Sequence, residues 1–310
     1  GYEVSVPNAG WSEQDPADWI RAFNEVMARL RSSHPKEYAA IRGIGVAGHM
    51  HGATVLDRSG KVIRPCILWT DGRSEGEARE LDGMSGFRSL SGNIVFPGFT
   101  APKLVWLARN EPENFSRIDK VLLPKDYIVY WMTGRQVTEM SDAAGTSWLD
   151  VGKRSWAGEL IEKSGLSRSQ LPDLVEGTEL VGTLDSKRAA ELGLEDNVGI
   201  VGGGADNAAA ACGIGALMDG QGFLSLGTSG VLLAAKDQYA PAPDSAVHTF
   251  CHAVPEKWYQ MGVTLSATDS LNWLAANLGQ SVKQLATSLT GRPNGPSPVL
   301  FLPYLSGERT

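Results

Sequence analysis

The chain has 310 residues, a formal net charge of −7 and a pI near 5.3, with 42% hydrophobic and 20% charged residues. That length exceeds one compact core and makes two domains the default, in an ordinary globular composition. An acidic balance speaks against phosphate neutralisation, so no nucleic-acid partner is expected. No run approaches the roughly 18 apolar residues of a membrane span, and the start lacks a signal-peptide pattern. Cys66, Cys212 and Cys251 are widely spaced, odd in number and free of any CxxC pair. They are expected as small buried hydrophobes in a reduced, cytoplasmic setting.

In chain order, Asp15-Pro16 reads as an N-cap and first helical position. Trp19, Ile20, Phe23, Val26, Met27 and Leu30 follow at helical spacing. Residues 41–47 read as a buried strand that ends in the loop Gly48-His49-Met50-His51-Gly52. Residues 53–56 and 62–69 are expected as antiparallel strands around the turn Asp57-Arg58-Ser59-Gly60. Helical patterns cover 74–81, 100–110, 114–118 and 127–132, and residues 121–123 form a strand delivering Pro124-Lys125-Asp126 to a loop. Residues 141–148 are small and polar, and two further helical patterns cover 156–165 and 185–192.

The last third changes character. A strand over 198–201 leads into Gly202-Gly203-Gly204, and Asp206 opens an Ala-rich helix to 213. Strands over 223–226 and 231–234 flank the tight turn Gly227-Thr228-Ser229-Gly230. A strand over 258–263 and a helix over 266–278 follow. Hairpins interleaved with helices indicate a mixed α/β fold.

Four constellations carry possible chemistry. Asp206, after three glycines and at a helix start, can accept a proton from an attacking hydroxyl; the same pattern also suits a plain helix cap. The turn 227–230 offers backbone N–H groups and two hydroxyls suited to phosphate oxygens, or is an ordinary hairpin turn. It lacks the P-loop pattern. His49 and His51, two residues apart with no nearby Cys or carboxylate in sequence, make a poor metal site and suit a lining for sugar hydroxyls. Trp69-Thr70-Asp71-Gly72-Arg73 offers an aromatic face for a sugar, or a structural Asp–Arg pair.

These clues converge on a resemblance. GFTAPKLVWLARN (98–110) is similar to the segment that marks the FGGY family of carbohydrate kinases. WSEQDP, AGHMHGAT, ILWTDGR, LPKDY, SDAAGTSWLD, LSLGTSG and FLPYLSGERT follow the family's order along nearly the whole chain. MHGAT and SDAAGT most resemble the members that phosphorylate xylulose.

The resemblance implies an α/β fold of two actin-like (ribonuclease H-like) domains with the active site in the cleft between them. Residues 1–217 would form a sugar-binding domain lacking its first strands. Residues 218–310 would be part of an ATP-binding domain, the second domain being incomplete in this chain. It assigns Asp206 as the catalytic base for the 5-hydroxyl of D-xylulose, and Met50, His51, Asp206 and Asn207 as substrate contacts. Gly227, Thr228 and Ser229 become the second phosphate loop, with ATP and Mg²⁺ as cofactors, no protein metal ligands and a homodimer as a possible assembly. The rival readings are a kinase for ribulose or an alditol, and a non-catalytic actin-fold sugar regulator. Two departures stand out: Ala205 replaces the usual glycine before the base, and neither end reads as a natural terminus. The first phosphate loop would lie before Gly1 and the adenosine motif beyond Thr310.

Overall fold

A computed structural model describes residues 3–289, 291, 295 and 297–305; the 306–310 end of the last motif lies outside them. Asp15 caps the helix Pro16–Ser33 by accepting from the Ala17 N–H at 2.9 Å, with Pro16 at the first position. Of that helix's apolar residues, Trp19 and Met27 enter the core, whereas Val26 and Leu30 stay exposed.

The element that positions the site is a three-stranded sheet of Leu180–Thr183, Gly199–Ala205 and Gly43–Gly48. The last two run parallel, with Ala205 opposite Gly48, so the residues that follow each strand leave from the same sheet edge. The three glycines expected to follow the strand are inside it, and it runs to Ala205. Between Val201 and Gly204 the register slips, and Gly203 adopts φ +80° there. A Cβ on Gly203 would collide with the Val46 backbone of the neighbouring strand. Strand packing and a left-handed backbone therefore fix this glycine, whatever the run does for a ligand.

A second sheet is antiparallel throughout, in the order Gly222–Leu226, Gly230–Lys236, Trp258–Thr264, His248–Cys251. The expected hairpin around residues 57–60 is held by single bridges, Leu56 to Val62 and Ala53 to Ile67. Its ladders go elsewhere: Thr54–Leu56 pairs with Lys120–Leu122, and Cys66–Ile67 with Glu13–Gln14. Pro124-Lys125-Asp126 is not a loop but the first turn of the helix Pro124–Thr133, where proline's missing N–H costs nothing. Cys66 and Cys251 are buried as expected, but Cys212 is exposed.

Below the site, Met50, Phe99, Met140, Ala205, Ala208 and Phe250 belong to one apolar cluster that joins the two sheets. Among the described residues no helix is long and apolar enough to cross a membrane.

Candidate active site

The parallel pairing sets the geometry. Chain leaving Gly48 and chain leaving Ala205 line one recess of about 260 Å³, with His49, Met50 and His51 on one side and Asp206 and Asn207 beside them. Trp69 lines it too, together with Ser225, Val231, Met261 and Val263 from the antiparallel sheet and Ser229 from the turn between its first two strands. Met50, His51, Asp206, Asn207 and Ser229 are thus brought together. Gly227 and Thr228 sit in the adjoining turn, where the Thr268 N–H donates to the Gly227 carbonyl and the Ala267 N–H to the Thr228 carbonyl. A larger groove of about 830 Å³ lies among exposed turns near Asp57, Arg117 and Ser167, and gathers none of these residues.

His51 is buried with φ +72°, an uncommon backbone for a side chain bearing a Cβ. Several contacts hold it there. Its Nδ1 lies 2.7 Å from the Gly145 carbonyl, so Nδ1 carries the proton and donates. Its ring stacks on Phe99 at 4.5 Å, and its own carbonyl accepts from Lys103 Nζ at 2.9 Å and Thr100 Oγ1 at 3.2 Å. Lys103 is fully buried and also donates to the Gly98 carbonyl at 2.7 Å. The lysine of the 98–110 segment therefore braces the histidine loop. Sequence reasoning recognised the segment but missed this role. Burial lowers the pKa of His49, so its ring favours the neutral form.

Asp206 is the first residue of the helix Asp206–Ile214, and the capping position belongs to Ala205. Its Oδ1 accepts from the N–H of Asn207, the second helical residue, at 2.8 Å and from Asn207 Nδ2 at 3.1 Å. The residue is open to solvent, yet its carboxylate is partly desolvated where it lines the recess. That partial desolvation raises its pKa, and the two Asn207 bonds oppose the rise. Ala205 has φ −56°, a value open to any residue, so the alanine that departs from the family pattern introduces no backbone strain.

The Asp71–Arg73 pair resolves as structural. The Arg73 guanidinium lies 3.6 Å from the Trp11 ring centre and 5.0 Å from that of Trp106. It bonds Asp71 at 2.9 and 2.7 Å and reaches Glu13 at 2.7 Å. Trp69, two residues earlier, does reach the recess.

Behind Asp206 lies a buried ionic cluster that sequence reasoning missed. Lys125 Nζ contacts Asp126 at 2.6 Å, Glu139 at 3.7 Å and Asp142 at 3.7 Å, with all four side chains no more than 1% exposed. Burial raises the pKa of Glu139, and raises that of Asp142 well above the carboxylate range, against the pull of Lys125. Neither Asp142 oxygen accepts a hydrogen bond. Among the described residues no group of three His, Cys, Asp or Glu side chains is arranged to hold a metal ion.

Comparison with known proteins gives these features a context. The family model described as the FGGY family of carbohydrate kinases, N-terminal domain, matches residues 1–213. The chain is 48% identical over 309 residues to a xylulose kinase of Escherichia coli (strain K12), covering 99% of this chain and 63% of that protein. A crystal structure described as a xyloylose kinase from Brucella ovis superposes with a TM-score of 0.96 at 56% identity, over 99% of this chain and 64% of the other. The xylulose kinase of Rhodospirillum rubrum superposes with a TM-score of 0.91 at 29% identity, over 99% of this chain and 64% of the other. The mixed α/β architecture is thus the actin-like, ribonuclease H-like fold of these sugar kinases. The chain spans about 63% of the length of the curated relatives it matches.

Proposed function

This chain belongs to the FGGY family of carbohydrate kinases, and on that premise we propose that the whole protein transfers the γ-phosphoryl group of ATP to the 5-hydroxyl of D-xylulose. The observation that carries the reading is the recess itself. A carboxylate of raised pKa shares it with two histidines, an amide, an indole and two serines. Asp206 is the general base. As the sugar oxygen bonds phosphorus and the bond to ADP breaks, the hydroxyl proton passes to the Asp206 carboxylate. Met50, His51 and Asn207 orient the sugar, with the His51 ring fixed by Gly145 and Phe99. Gly227, Thr228 and Ser229 form a phosphate-binding turn, and the placement of Ser229 in the lining of the recess fits that role. Mg²⁺, when bound with ATP, would neutralise phosphate charge during the transfer. The family match, ending at residue 213, supports a sugar-binding unit over 1–217 and part of an ATP-binding unit after it.

The test is a coupled ADP-release assay on the full-length protein against ketoses and polyols that include D-xylulose, ribulose and alditols. D-Xylulose is expected to give the highest kcat/KM, and no D-xylulose-dependent turnover would overturn the substrate assignment.

A second expectation concerns pH. The base works only when deprotonated, so turnover falls as pH drops through the Asp206 pKa. Asn207→Ala removes a hydrogen bond that holds this pKa down. The acid limb of kcat/KM should therefore move to higher pH. An unmoved limb would separate Asn207 from the ionisation of the base.

A further inference from the structure

The carboxylate of Asp206 has little to hold it in place. Among the described residues its only hydrogen bonds come from Asn207, next to it in the chain. The capping residue Ala205 has no side-chain acceptor. The direction in which Asp206 points is therefore inherited from the backbone at the strand–helix junction. That backbone is gripped from outside by one side chain: Ser141 Oγ accepts from the Ala205 N–H at 3.0 Å.

The grip is directional. A serine hydroxyl has one proton and two lone pairs. Here the proton points at the Glu139 carboxylate, 2.9 Å from Oε1 and 2.8 Å from Oε2, which leaves the lone pairs for Ala205. Glu139 is itself locked, accepting from the Ser141 N–H at 2.8 Å and the Asp142 N–H at 2.9 Å, and facing Lys125. Lys125 Nζ also lies 3.5 Å from the carbonyl of Gly202, in the strand that ends at Ala205. Glu139 and Ser141 are both fully buried, so solvent water has no ready access to replace either bond.

We propose that Ser141, oriented by Glu139, is a positioning residue for phosphoryl transfer: it fixes the Ala205–Asp206 junction and thereby aims the Asp206 carboxylate at the attacking hydroxyl. This rests on the reading of Asp206 as the base. Misplacing a catalytic group by about 1 Å can cost on the order of 10²-fold in rate. Loss of the serine acceptor should therefore appear in kcat, while sugar binding through Met50 and His51 is kept.

The experiment measures kcat and KM for D-xylulose in the full-length protein carrying Ser141→Ala, Ser141→Thr and Glu139→Gln, each also combined with Asp206→Ala. Ser141→Ala is expected to lower kcat by about tenfold or more with little change in KM. Ser141→Thr, which keeps the hydroxyl, should restore most of the rate. Glu139→Gln should fall between them. In the Asp206→Ala background none of the three should lower the residual rate further, because an effect that acts through the carboxylate has nothing left to act on.

Wild-type kcat in Ser141→Ala would overturn the proposal. So would equal proportional losses with and without Asp206, the mark of a merely structural role. If Ser141→Ala does not fold, Glu139→Gln carries the same comparison. Full turnover in Asp206→Ala alone would instead remove the reading of the base, a failure distinguishable from that of Ser141.

Discussion

Asp206→Ala is expected to lower the kcat of the full-length protein by about 10²- to 10⁴-fold, the usual contribution of a positioned general base. The carboxylate leads the helix Asp206–Ile214 into the recess, and of the first-turn N–H groups it accepts from that of Asn207 alone. Helix stability should change little, because the helical N–H groups do not depend on its oxygens beyond the Asn207 N–H. The loss should therefore fall on catalysis and spare the melting temperature. Steady-state kinetics set beside a thermal melt separate the two effects. Retained turnover would remove Asp206 from the mechanism, and a collapse in melting temperature would reassign it to structure.

Lys125→Met should produce the largest change in stability, a loss of about 3–5 kcal/mol at neutral pH, as when one partner is removed from a buried ion pair. Three buried carboxylates, Asp126, Glu139 and Asp142, surround this one ammonium. Burial alone would lower the Lys125 pKa, but the three carboxylates outweigh it and raise the pKa, which keeps the group charged. Removing the cation leaves their charge uncompensated where water cannot screen it.

The pH dependence has a definite sign. Glu139 and Asp142 have raised pKa values in the fold, so between the unfolded and folded values the native state holds more protons than the unfolded state. Stability contributed by these groups therefore falls as pH rises through that window. The penalty of Lys125→Met should shrink toward acid pH, where the carboxylates become neutral. Urea unfolding at pH 5 and pH 7 checks this, and a penalty that grows on acidification would contradict the electrostatic account.

Much of the frame was legible because local signals agreed with the final fold. The apolar spacing over 100–110 matches the helix Thr100–Asn110, and the Gly-Thr-Ser-Gly turn joins the strands Gly222–Leu226 and Gly230–Lys236. Asp206 was found at its helix start for the same reason. Other elements gave no periodic signal. His248–Cys251 is buried on both faces, so its side chains do not alternate, and pairs such as Leu149–Asp150 with Ser155–Trp156 are too short to register. Pro124 invited a loop reading because a proline interrupts as readily as it initiates a helix. The charged cluster was hidden by type, since Lys, Asp and Glu are ordinarily surface residues and only their mutual pairing lets them be buried. Lys125, Glu139 and Asp142 meet through tertiary structure, which no spacing in the sequence displays.

The Ser141–Ala205 bond joins residues 64 positions apart, and the Lys125–Gly202 contact spans 77. Closing loops of that size costs chain entropy that local helix or hairpin formation cannot offset in advance. The helix carrying Asp206 draws on near-neighbour hydrogen bonds, whereas the grip on its first turn waits for distant segments to dock. Acquiring the carboxylate and orienting it are therefore separate events in the life of the polypeptide. A collapsed chain with native helices but unsettled packing would hold the base without pointing it anywhere.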